Sequence, residues 1–162
     1  MELYLLRHGI AEDQSPSGRD ADRQLTDEGR RKLRHTLRLA VEAGVRPALI
    51  LTSPYVRARQ TAEIAREVLG CQDELVSSDA LISESDPEAV WQEIRALHGV
   101  ANSLLLASHE PLMSRCTGYF LNAPELLVDF KKGAIVRIDL NHFGVTPRGL
   151  LKWMLVPKLA GA

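Results

Sequence analysis

The stretch Leu3-Tyr4-Leu5-Leu6-Arg7-His8-Gly9 decides how this chain is read. Four apolar residues without polar alternation form a strand buried on both faces, as in a parallel sheet. The run stops on a cation, an imidazole and a glycine. Two later stretches follow the same plan. Leu49-Ile50-Leu51 ends at Thr52-Ser53-Pro54, with Arg57 just beyond, and Ser103-Leu104-Leu105-Leu106-Ala107 ends at Ser108-His109-Glu110-Pro111. In open α/β sheets, ligands bind beyond the carboxyl ends of the strands. The three polar clusters are therefore expected to meet on one edge.

The intervening segments read as helices. Residues 26 to 43 carry Thr26 as a cap, Asp27 and Glu28 at the positive helix end, and Leu33, Leu37, Ala40 and Val41 at helical spacing, before Gly44 stops the helix. A second helix is expected to start with Ser53 as its cap and Pro54 as its first residue, running to Leu69. A third spans Pro87 to His98, and a fourth opens at Pro111 and runs to Leu121. Residues 10 to 24 read as a loop, and 70 to 86 as irregular with a short strand near Leu75-Val76. Two late strands, Ala134 to Leu140 and Leu150 to Val156, have a connection too short for a crossover and suit a hairpin. Strand–helix alternation implies a three-layer α/β/α domain over residues 1–162, with a mostly parallel central sheet, an antiparallel edge and no cap subdomain.

Composition sets outer bounds. The 162 residues carry 20 Lys+Arg against 21 Asp+Glu, a net charge of −1, which argues against a generic nucleic-acid binder and leaves a local basic patch open. Cys71 and Cys116 form no CxxC pair, which suits a reducing compartment and no zinc ribbon. No apolar run is long enough for a transmembrane helix and the first residues lack a signal-peptide pattern, so a cytoplasmic location is expected, without membrane association. No interface pattern indicates an oligomeric state.

Arg57 is the most informative cation. It falls in the first turn of its helix, where a positive charge is disfavoured by about 0.3–1 kcal/mol. A bound anion reverses that sign, and His109, just before a helix start, invites the same argument. Phosphate fits: Arg binds it bidentately, and helix amino termini donate N–H groups. A strand-end imidazole kept neutral by neighbouring cations can then attack phosphorus. The same cations stabilise charge on the transferring phosphoryl oxygens, and this design requires no metal or other cofactor.

These residues carry a family resemblance. Arg7-His8-Gly9 looks like the RHG signature of the histidine phosphatase superfamily. Leu25-Thr26-Asp27-Glu28-Gly29, the block from Ser53 to Ala62, and Ser108-His109 follow in family order. The resemblance implies that His8 becomes phosphorylated, that Arg7, Arg57 and His109 form the phosphate pocket, and that Gly9 leaves room beside the nucleophile. The small size and the run Asp22-Arg23-Gln24-Leu25-Thr26 resemble the SixA-type phosphohistidine phosphatases, in which the Arg matching Arg23 faces the pocket. Phosphoglycerate mutases and acid phosphatases of the superfamily insert a helical cap between the segments matching Arg57 and His109, where this chain has room for little more than one helix. An open pocket suits phosphohistidine on a protein; small phosphate esters and a silent phosphate-binding module are the alternatives. Larger relatives place a general acid near Glu84, with Asp86 close by, and an alkoxide leaving group needs that acid more than an imidazole does.

Other residues read as structural. His35, His98 and His142 fall away from the clusters, and Trp91 and Trp153 belong to core or rim. Arg30, Arg31, Lys32, Arg34 and Arg38 form a basic helix surface, read as a solvated face with docking of an acidic partner as its alternative. Lys131-Lys132 marks a turn.

Overall fold

The computed structural model describes residues 1–161. Six strands form one sheet: β1 (Glu2–Arg7), β2 (Leu49–Thr52), β3 (Val76–Ser77), β4 (Ser103–Ser108), β5 (Ile135–Leu140) and β6 (Gly149–Leu155). Their spatial order is β3-β2-β4-β1-β5-β6. The first four in that order run parallel, while β5 pairs antiparallel with both β1 and β6. The expected antiparallel edge is thus a hairpin laid beside β1. Four helices cover the sheet: α1 (Asp27–Glu42), α2 (Val56–Leu69), α3 (Pro87–Ala96) and α4 (Leu112–Phe120). None is long and apolar enough to cross a membrane.

The unalternating runs of β1 and β4 are unalternating because both sheet faces are covered. Leu3, Leu5, Leu104 and Leu106 pack with Trp91 and Ile94 of α3 and with Met113 and Phe120 of α4. Tyr4, Leu6, Leu105 and Ala107 turn the other way, onto Leu33 and Leu37 of α1 and Ala62 and Ala65 of α2. Burying each large apolar side chain contributes about 1.5–3 kcal/mol. Since β1 leads into α1 on one face and its neighbour β4 leads into α4 on the other, a crevice opens between their carboxyl ends.

Helix ends depart from the sequence reading in one useful place. Thr26 caps α1 as expected, its Oγ1 accepting the Gly29 N–H at 3.0 Å. By contrast, α2 begins at Val56 after Tyr55, not at Pro54 after Ser53. The Ser53 hydroxyl serves both sides: it pairs with His109 Nε2 at 2.8 Å and accepts the Tyr55 N–H, just before the helix, at 3.3 Å. The fourth helix also starts one residue late, with Pro111 as its cap.

Gly29 fixes how close α1 lies to the end of β1. A Cβ added there would overlap the carbonyl oxygen of Ile10. That oxygen also accepts the Thr26 N–H at 3.0 Å, so it cannot withdraw without breaking the α1 cap region. Gly29→Ala is expected to destabilise the fold by about 1–3 kcal/mol through overpacking. Urea unfolding measures this, and an unchanged midpoint would show that the contact is slack.

Candidate active site

Register builds the site. Arg7 pairs with Ser108, and Thr52 with Ala107, so β1 and β4 end at one level and β2 ends one residue lower. The next residue of each strand stands at the crevice: His8, whose N–H donates to the Ser108 carbonyl at 2.9 Å, then His109, then Ser53, whose N–H donates to the Ala107 carbonyl at 3.0 Å. All three are buried. The two imidazole centroids are 5.1 Å apart, and Tyr55 lies against His109 at 5.0 Å.

Two hydrogen bonds fix the tautomer of His8. A carbonyl only accepts, so the 2.7 Å contact from Nδ1 to the Gly9 oxygen places the proton on Nδ1. Arg57 Nε–H donates to His8 Nε2 at 3.3 Å, which requires a lone pair there. Burial pushes the His8 pKa down to about 3; the bond to Gly9 opposes that, and His109, Arg57 and Arg7 add to it. His109 is also held at about 3, by burial first and then by Arg57. The sequence reading credited the cations with keeping the imidazole neutral. They contribute, but desolvation is the larger cause.

Arg57 and Arg7 reach the crevice from opposite sides. Arg7 Nη1 donates to the Phe130 carbonyl at 2.6 Å, while its buried Nε–H and the buried Nδ1 of His109 have no partner among the described residues. Buried polar atoms are seldom left so unless a ligand or solvent meets them. Arg57, in the first turn of α2, has a partner the sequence reading missed. Its Nη2 meets the Asp20 carboxylate at 2.9 Å and its Nη1 meets the Asp20 carbonyl at 2.7 Å. The other carboxylate oxygen of Asp20 accepts from Arg23 Nη1 at 2.8 Å. Hydrogen bonds from Arg23 and then Arg57 hold this carboxyl below its ordinary range. Arg23 therefore sits one carboxylate away from Arg57, tied also to the Glu12 carbonyl. The anion inferred from a cation at a helix start is in part internal.

Gly9 also lies close to the start of α1. A Cβ there would stand 3.3 Å from the Gly29 carbonyl oxygen and 3.4 Å from a Leu25 methyl, so the space goes to α1 packing. Its N–H donates to Thr61 Oγ1 at 3.2 Å. The two carboxyls weighed as acids are engaged otherwise. Glu84 accepts from the Ser83 and Tyr55 hydroxyls, and the Ser83 bond leads in holding its carboxyl below the ordinary range. Asp86 caps α3 through the Ala89 N–H. Of the remaining histidines, His35 binds the Ala160 carbonyl and His98 stacks on Phe143, neither near the crevice.

This arrangement offers a neutral imidazole lone pair beside two guanidinium groups and a second imidazole, a setting for nucleophilic attack on a tetrahedral oxyanion. Comparison with known proteins agrees. Residues 3–86 match the model of the histidine phosphatase superfamily (branch 1). An uncharacterised protein of Picosynechococcus sp. is 33% identical over 144 residues, covering 83% of this chain and 87% of that one. The structure resembles that of the protein histidine phosphatase SixA complexed with tungstate, at 25% identity and TM-score 0.88, covering 98% of this chain and 99% of that one. It also resembles a putative phosphohistidine phosphatase SixA from Agrobacterium tumefaciens, at 26% identity and TM-score 0.79, covering 96% and 98%.

Two predictions follow from the electrostatics. Both imidazoles have folded pKa values below the ordinary 6.5, so between pH 6.5 and about 3 the unfolded chain binds more protons. Their contribution to stability is intact above that window and is lost as pH falls through it. Denaturant titrations across the window should give a smaller pH slope for His8→Asn than for the unaltered chain; equal slopes would refute the assignment. Separately, Asp20→Asn frees Arg57 from a competing carboxylate. Orthovanadate should bind the variant about tenfold more tightly, equivalent to about 1.4 kcal/mol, as read from competition with a chromogenic ester. Unchanged or weaker binding would mean that Asp20 supports the pocket rather than competing for it.

Proposed function

The chain belongs to the histidine phosphatase superfamily, branch 1, and from that premise we propose a phosphatase that forms a phosphohistidine intermediate on His8 and takes phosphohistidine on another protein as its substrate. The observation that carries the reading is the fixed tautomer of His8. Nδ1–H is held by the Gly9 carbonyl, and the Nε2 lone pair is turned to Arg57. In the first step Nε2 attacks phosphorus in line and the bond from phosphorus to the leaving atom breaks. Arg57 Nε–H transfers its hydrogen bond from His8 to a phosphoryl oxygen, and Arg7 Nε–H and His109 face the others. In the second step water attacks the phosphoryl group, the P–Nε2 bond breaks, and inorganic phosphate leaves with His8 restored. Arg23 acts through Asp20 at the rim, and Gly9 serves by holding the imidazole proton.

Leaving-group chemistry favours the P–N substrate. A phosphoimidazole protonated at its distal ring nitrogen departs as neutral imidazole and needs no proton at the breaking bond. An alkoxide does need one, and Glu84 is held in its ionised form. The likeness to SixA structures, one of them holding tungstate, a tetrahedral oxyanion, supports the same substrate class.

The test is turnover, with chelator present, of a phosphohistidine-bearing domain beside a panel of small phosphate esters. Release from the phosphoprotein is expected to exceed release from every ester, and His8→Ala to lose at least about 1,000-fold, as removal of a nucleophile does. Preferential ester hydrolysis would make this a small-molecule phosphomonoesterase, and binding without release would make it a silent phosphate-binding module.

A further inference from the structure

Beside the crevice lies a cavity of about 720 Å3 whose lysines the proposed reaction does not use. It is framed by the first turns of α1, the turn 131–133 before β5, and residues 156–158 after β6. Its floor is apolar, with Leu33, Val156 and Pro157, and four lysines surround it: Lys32, Lys131, Lys132 and Lys158. Among the described residues no acidic and no aromatic side chain lines it. In a chain with net charge −1, that is a local concentration of positive charge over an apolar surface.

The cavity is joined to the catalytic histidine through the backbone. Arg7 and Gly9, the chain neighbours of His8, both line it. Gly133, in the left-handed region at φ 74°, turns its N–H onto the carbonyls of Arg7 and His8 at 3.2 and 3.0 Å. Whatever occupies the cavity therefore lies against the backbone on either side of His8.

We propose that this cavity is the docking site for the protein that carries the phosphohistidine, and that it receives an acidic segment bearing an apolar side chain. The inference rests on the substrate reading above and extends it to the partner's surface. Charge complementarity selects the occupant: the floor takes the apolar side chain, and the lysines meet carboxylates around it. Lys32 and Lys131 are already paired, with Glu28 and Asp129, but these are surface pairs that a partner's carboxylates can replace. Lys132 and Lys158 form no ion pair among the described residues and are exposed. A nucleic acid fits less well, since no ring is present on which a base could stack. The basic surface of α1, read from sequence as a solvated face with an acidic partner as its alternative, meets the Lys131-Lys132 turn here at Lys32.

The test uses the double variant Lys132→Glu/Lys158→Glu with two substrates, a phosphohistidine-bearing domain and free phosphohistidine. The KM for the domain is expected to rise about tenfold or more with kcat retained, and kcat/KM for free phosphohistidine to stay unchanged. Lys132→Ala/Lys158→Ala should shift KM the same way by less, and added salt should raise the KM of the unaltered protein more than that of either variant. An unshifted KM overturns the proposal, as does a parallel loss on both substrates. A change of self-association in sedimentation, with KM unmoved, would make the cavity a contact between copies of this chain instead. If the unaltered protein hydrolyses free phosphohistidine or esters but not the phosphorylated domain, the substrate reading itself fails and the docking site falls with it.

Discussion

Everything at the crevice depends on the hydrogen-bonded ladder that β1, β4 and β2 share at their carboxyl ends. The Ser108 carbonyl holds the His8 N–H and the Ala107 carbonyl holds the Ser53 N–H, so the ladder continues one residue past the side-chain register. That extension sets His8 level with His109 and Ser53 one step lower, opposite Ser108 and within reach of the His109 ring. A backbone ladder does not adjust by fractions of a residue, because a slip moves every side chain to the opposite face. The covered faces of β1 and β4, with Leu3 and Leu5 on one side and Tyr4 and Leu6 on the other, make such a slip costly along the whole strand. Core packing thereby sets the positions of the reactive groups.

Charge is managed by two distinct means. The imidazoles stay neutral chiefly because they are buried, so the lone pair of His8 is available without an adjacent carboxylate to accept a proton from the ring. The guanidinium groups are held instead by oxygen: Phe130 for Arg7, and Asp20 for Arg57. Burial of a cation is tolerable only with such partners. Arg57 is satisfied on two of its nitrogens by a segment that lies outside the sheet. Arg7 retains a buried Nε–H without a partner among the described residues.

The sequence made the central strands legible because burial on both faces leaves no polar alternation, as in Leu3-Tyr4-Leu5-Leu6. It made His8, Arg57 and His109 legible because each follows such a strand within a few residues. Asp20 escaped because residues 10 to 24 carry no periodicity, and nothing in Arg19-Asp20-Ala21-Asp22-Arg23 says which charge folds back over the sheet. The available signal was a cation at a helix start, read as a call for an external anion when a carboxylate of the chain was a second answer. The start of α2 lies two residues later than read: Ser53 does accept a backbone N–H, from Tyr55, as well as meeting His109, but the helix itself begins only at Val56. The Asp20 miss is a long-range contact that local preference does not reveal.

Asp20 also bears on how the reaction would end. Because Arg57 already has a carboxylate partner, any tetrahedral anion binds there by the difference between two ion pairs, not by the full strength of one. Free phosphate has little beyond its charge with which to make up that difference, whereas a phosphoryl group attached to a larger partner brings further contacts. On the proposed reaction, a carboxylate already in place on Arg57 would compete with the product and would favour clearance of the pocket between turnovers.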